Sequence, residues 1–205
     1  MAAFPLDPRL AKVILVSKDL NCLEEILSIV SILSVDSLVF NPQTKREEAL
    51  AARKKFESAE GDFITYLNIL RAFKASAGNK KWCRENFVNT KNANMALEVR
   101  RQLRGICQDQ GMQFTSSSRD SNAVRKCLVA GFFMNAAELN KDGNYITLST
   151  RKICSIHPSS SLFNCKPAYV IYNELVQTTK CYMRDVCVVD PDWLYDAVPS
   201  YFKKK

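Results

Sequence analysis

Up to Phe133 the apolar residues of this chain recur at helical spacing; beyond it they fall into short runs rich in Tyr, Val and Ile, separated by turn residues. A period near 3.6 builds amphipathic helices, and short β-branched and aromatic runs build strands. The chain must therefore join a helical part to a strand part near residue 134.

In the helical part, Asp7-Pro8 is a helix-start pair, and Leu10, Val13 and Ile14 place a first helix over about 7–18. A second, over about 23–35, is apolar nearly all round and belongs at the centre of the core. Asn41-Pro42 breaks the pattern ahead of a charged helix over 45–56. Gly61-Asp62 opens another, with Phe63, Ile64, Leu67, Leu70 and Phe73 as its stripe. Asn79 caps a short helix through Phe87, Thr90 or Asn92 caps a longer one to about Gln110, and Asp120 or Ser121 caps the last, over 122–133.

In the strand part, short strands are expected over 135–139, 144–149 and 153–157, with a turn at Lys141-Asp142-Gly143-Asn144. Two longer runs, 168–177 and 181–189, flank Thr178-Thr179-Lys180 and read as an antiparallel hairpin. Asp190-Pro191 then starts a terminal helix whose Trp193, Leu194, Val198, Tyr201 and Phe202 are expected to cover the sheet.

With 205 residues, 47% of them hydrophobic, the chain can bury a substantial core. No run approaches the roughly 20 apolar residues that cross a bilayer, and the first residues lack the basic flank and apolar stretch of a signal peptide. No membrane is expected among its partners. The eight cysteines include no C-x-x-C pair and are joined by a single histidine, His157. A zinc site is disfavoured, and reduced core thiols are expected. The net charge of +8 favours an acidic partner such as nucleic acid or an acidic protein surface. Basic clusters such as Arg53-Lys54-Lys55, Arg100-Arg101-Arg104 and Lys203-Lys204-Lys205 are individually as compatible with a solvated face as with a binding stripe.

The string Ile156-His157-Pro158-Ser159-Ser160-Ser161-Leu162-Phe163, the YNELVQTTK that follows from Tyr172, and the closing WLYDAVPSYF from Trp193 resemble the carboxy-terminal region of the DEAH-box RNA helicases. The resemblance continues upstream in FPLDPRLAK from Phe4, EEILSIVSILSV from Glu24, EGDFITYLNILRAF from Glu60 and NKKWCRENFV from Asn79, and so covers essentially the whole chain. It implies an α+β fold: a helical bundle followed by a small oligonucleotide-binding (OB) β-barrel with a terminal helix. In its terms 1–58 is the end of a degenerate winged helix, 59–133 a ratchet-like bundle, and 134–205 the OB domain. A chain starting inside a winged helix would resemble a fragment or short product, with its first two helices missing part of their packing partner and exposing apolar surface.

The resemblance also implies a motor driven by ATP and magnesium, and this chain has neither the phosphate-cradling Gly-Lys-Ser/Thr loop nor an Asp-Glu-Ala-His motif. No enzymatic activity and no cofactor are expected of the chain itself. His157 with its serines lacks the orienting acid and the G-x-S-x-G turn of a serine hydrolase. What the resemblance implies instead is an auxiliary region that guides single-stranded RNA. The hairpin Thr178, Thr179, Lys180 and Arg184, beside the rings of Tyr169, Tyr172 and Tyr182, the serines Ser159 and Ser160, and the helical Arg100, Arg101 and Arg104 are the candidate RNA contacts. The alternative is a protein-interaction module for regulatory activators, ribonucleoprotein partners or the helicase motor domains. A nuclear or nucleolar setting, in splicing or ribosome biogenesis, is implied, with the cytoplasm as the alternative.

Overall fold

The computed structural model describes residues 4–118 and 120–202; the Lys203-Lys204-Lys205 run lies outside them. Seven α-helices precede five strands and an eighth helix among the described residues. The helices are α1 (Pro8–Ser17), α2 (Leu23–Leu33), α3 (Arg46–Arg53), α4 (Asp62–Ala75), α5 (Lys80–Glu85), α6 (Thr90–Asp109) and α7 (Ser121–Phe132). The strands are β1 (Ala136–Leu139), β2 (Tyr145–Thr147), β3 (Ile153–Ile156), β4 (Tyr169–Gln177) and β5 (Cys181–Val188), followed by α8 (Pro191–Ala197).

Local chemistry sets most of these boundaries. The carboxylates of Asp7, Asp120 and Asp190 accept from backbone N–H groups in the first turns of α1, α7 and α8, and Asn79 does so for α5. The longest helix departs from expectation, because Asn89 rather than Thr90 or Asn92 is its cap, accepting from the Asn92 N–H. The charged segment over 45–56 is a short α3 between two 3-10 turns.

One core runs through the helical part and draws on both 1–58 and 59–133: Val13 and Ile14 of α1, Ile26 and Leu27 of α2, Phe63 of α4, Leu103 of α6 and Leu128 of α7. Val13, Ile14 and Ile26 are fully buried. The expectation that the first two helices expose apolar surface is therefore corrected: α7 lies against α1, while α4 and α6 flank α2. Gly131 of α7 permits the first of these contacts, since a Cβ there would stand 2.5 Å from the Arg9 carbonyl oxygen.

The strands close into a barrel in the order β1-β2-β3-β5-β4, with β3 and β5 parallel and all other neighbours antiparallel. Alternate residues serve two cores at the barrel's base. Ala137, Val170 and Val186 fill its interior, while Ala136, Ile171 and Cys187 point out into the helical core. The outer face of the barrel at this base is already covered by α4 and α7. The terminal helix accordingly packs on α7 instead of covering the sheet as expected: Arg125 lies over the Trp193 ring, and Tyr201 and Phe202 meet Phe133 edge-on.

Candidate nucleic-acid interface

The β4–β5 hairpin runs from the helical core at Ile171 and Cys187, past α4, where the Tyr66 hydroxyl donates to Asp185, out to its tip at Thr178-Thr179-Lys180. Burial falls along β4 from Ile171 to Gln177 and along β5 from Cys187 back to Arg184. Asp185 adopts a left-handed φ of 53°, and the alternation slips by one there, so that Met183 and Val186 both face inward. The slip turns Lys180, Tyr182 and Arg184 outward on one face. At about 3.4 Å per residue, successive members of this series stand roughly 7 Å apart, with a ring between two cations.

The neighbours of this stripe are equally defined. Arg184 sits opposite Glu174 in register and pairs with it at 3.5 Å, both side chains about half exposed. The His157 ring, at the end of β3, stands edge-on to Tyr182 with centroids 5.6 Å apart. Its Nδ1 accepts from the Ser159 N–H at 3.2 Å and lies 2.7 Å from the Ser159 Oγ. That geometry requires a neutral imidazole, and burial, with help from Arg184 and Arg46, holds the His157 pKa below its usual value. Thr178 closes the hairpin tip, its N–H and hydroxyl both donating to the Lys180 carbonyl oxygen. Thr179 and Lys180 are exposed beside it.

The remaining candidates lie elsewhere or are engaged. Ser160 donates its hydroxyl to Asp62 at 2.6 Å, and Ser161 gives Asp62 both its N–H and its hydroxyl. Val186 N–H supplies a fourth bond to the same carboxylate, at 2.8 Å. Asp62 thus ties the first turn of α4 to the serine loop and to β5. Burial raises its pKa, opposed by those hydrogen bonds. Sequence reasoning missed Asp62, whose partners are 98 to 124 residues away; the one local signal was an acidic residue opening a helix.

Arg100 and Arg104 both pair with Glu24 of α2, and Arg100 also donates to the Ser28 hydroxyl. Arg104 lies over the Phe114 ring at 3.9 Å, and Arg101 pairs with Glu98 along α6. Arg100 and Arg104 are therefore held at the α2–α6 seam and Arg101 on the exposed side of α6, none of them with the hairpin.

The eight cysteines are free thiols. Among the described residues no group of three His, Cys, Asp or Glu is placed to hold a metal ion, and the glycines form no phosphate-cradling loop. No described helix is long and apolar enough to cross a membrane.

Comparison with known proteins places two family models on the chain. The ratchet-like helicase-associated domain (HA2) matches residues 7–66, and the oligonucleotide/oligosaccharide-binding (OB) fold matches 124–201. The mouse and human ATP-dependent RNA helicase DHX33 are each 57% identical over all of the chain, which covers 29% of either protein. The Arabidopsis thaliana pre-mRNA-splicing factor ATP-dependent RNA helicase DEAH10 is 39% identical over 99% of the chain and 30% of its own length. The chain thus spans about three tenths of the curated relatives it matches.

Proposed function

Because the chain belongs to the DEAH-box RNA helicases, as their carboxy-terminal auxiliary region, we propose that it binds single-stranded RNA along the outer face of β5 and guides the strand for an ATP-driven motor. The observation that carries this reading is the alternation of Lys180, Tyr182 and Arg184 on one face of the outer half of the hairpin. Cations follow phosphates, a ring stacks on a base, and neither demands a particular sequence. Thr178, Thr179 and Ser159 border the stripe and can add neutral hydrogen bonds. Arg100, Arg101 and Arg104 would extend the contact only by leaving their carboxylates. The work of such a region is positional, since it holds the strand while hydrolysis takes place elsewhere. A nuclear setting and a role in RNA processing go with this reading.

The test is fluorescence anisotropy of a labelled single-stranded RNA with the purified chain at physiological salt and no other protein. The parent should bind, and Lys180→Ala with Tyr182→Ala should weaken binding about equally for unrelated sequences. Removing one phosphate contact should lower the salt slope by roughly 0.7. If the parent does not bind, the reading fails and a protein-docking role for regulators replaces it.

A further inference from the structure

Resting on the RNA-binding reading, we propose that Arg53 and Arg184 form a phosphate subsite between α3 and the barrel, with Ser159 at its edge, which takes one backbone phosphodiester of the bound strand. A cavity of about 230 Å³ opens there, and both arginines and Ser159 line it.

Arg53 is the unusual member. It is buried, at 7% exposure, and among the described residues it makes no ion pair. Its guanidinium is held by neutral acceptors only: the carbonyl oxygens of Phe40 and Phe87 and the side-chain oxygen of Asn41. A buried cation normally keeps an anion beside it, because desolvation without one is costly. Three neutral acceptors fix the fork without neutralising it, and the carboxylate whose charge acts on it, Glu57, is exposed and makes no ion pair with it, which leaves N–H donors and positive charge for an incoming oxyanion.

Arg184 reaches the same cavity from β5. Its pairing with Glu174 is 3.5 Å long and half exposed, a weak contact that a phosphate can displace. At the neighbouring His157, burial is the main cause of the lowered pKa; Arg184 and Arg46 act in the same direction, and Asp185 and Asp62 act against them. Two carboxylates also border the space. Asp62 is occupied by its four donors, and Glu57 is exposed at the rim. Because Arg184 also belongs to the outer stripe, a strand running along Lys180 and Tyr182 would deliver its next phosphate to Arg53.

The experiment measures RNA affinity and its salt dependence for Arg53→Gln, Arg53→Lys and Ser159→Asp in the purified chain, with circular dichroism and thermal melts checking the fold. Arg53→Gln should bind about tenfold more weakly and lose roughly 0.7 from the salt slope, with Arg53→Lys recovering most of the slope. Ser159→Asp places a carboxylate at the mouth of the cavity from an exposed position and should weaken binding comparably. If Arg53→Gln does not fold, Ser37→Asp decides, since Ser37 lines the same cavity from an exposed position outside the β5 stripe: weaker binding supports the subsite, and parent-like binding overturns it. Parent-like affinity and slope in the folded variants overturn the subsite while leaving the β5 reading standing. Failure of the parent itself to bind RNA overturns both.

Discussion

Two carboxylates hold this molecule together by opposite means. Glu24, at the α2–α6 seam, is partly exposed and answers two arginines. Asp62, at the seam between α4 and the barrel, is almost fully buried and answers four uncharged donors. The first seam relies on charge that water and salt can screen; the second relies on hydrogen bonds with nothing to replace them. A basic surface offers many substitute partners to a carboxylate, whereas an interior offers none, so the junction that orients the barrel is the less forgiving of the two.

The sharpest way to break the comparison is Asp62→Ala. It strands the Val186 and Ser161 N–H groups in a dry interface, and each unsatisfied donor costs about 1–3 kcal/mol, so chemical denaturation should show a loss of roughly 4 kcal/mol. Next is Gly61→Ala. Gly61 has φ 122°, and a Cβ there would lie 2.3 Å from the Val186 carbonyl oxygen and 2.8 Å from the Cys187 Cα. Backbone cannot yield as a side-chain tip does, and a loss of about 3 kcal/mol is expected. Glu24→Gln should cost only about 1 kcal/mol, most of it gone in concentrated salt. An equal loss for Glu24→Gln and Asp62→Ala would erase the distinction.

The pH response sharpens it further, with the smallest amplitude. Burial pushes the Glu24 pKa up, but Arg104 and Arg100 outweigh it and hold the group below its usual value of 4.5. Its contribution is therefore complete above that value and is lost as pH falls through the lower folded one. Asp62 runs the other way. Its folded pKa is raised above the usual 3.8, so its ionisation removes stability as pH rises from 3.8 through the raised value. The stability curve of Glu24→Gln should part in slope from the parent's as pH falls below 4.5, and that of Asp62→Asn as pH rises above 3.8, with opposite signs.

The sequence was most informative where the cause is local. Asp7, Asn79 and Asp190 cap their helices because a cap needs only its own next two or three residues, and the hairpin followed from two strand-like runs around a polar turn. Legibility failed where partners are distant. Nothing near Asp62 announces Ser160 or Val186, nothing near Arg53 announces the carbonyls of Phe40 and Phe87, and Glu24 lies 76 and 80 residues from the arginines it engages. Barrel closure depends on the non-sequential β3–β5 and β1–β4 pairings. The sequence set Tyr169, Tyr172 and Tyr182 alike beside the hairpin cations, and only the slip at Asp185 separates them: Tyr182 joins the β5 stripe, while Tyr172 is buried in the barrel.

The close fit of α7 against α1 bears on how the chain is made. Cys127 of α7 donates to the Val13 carbonyl oxygen across 114 residues, and Arg9 reaches the Asn173 carbonyl oxygen across 164. A ribosome adding about 5–20 residues per second would leave α1 without α7 for on the order of 10 s. Within this chain α1 meets only α2 at first, and α2 gains α4 and then α6 as they emerge, while the α7 face of α1 stays open. Contacts of such high sequence separation also slow the search once the whole chain is free. Production of this chain should thus be limited by chaperone supply and synthesis rate well before the finished molecule is limited by its stability.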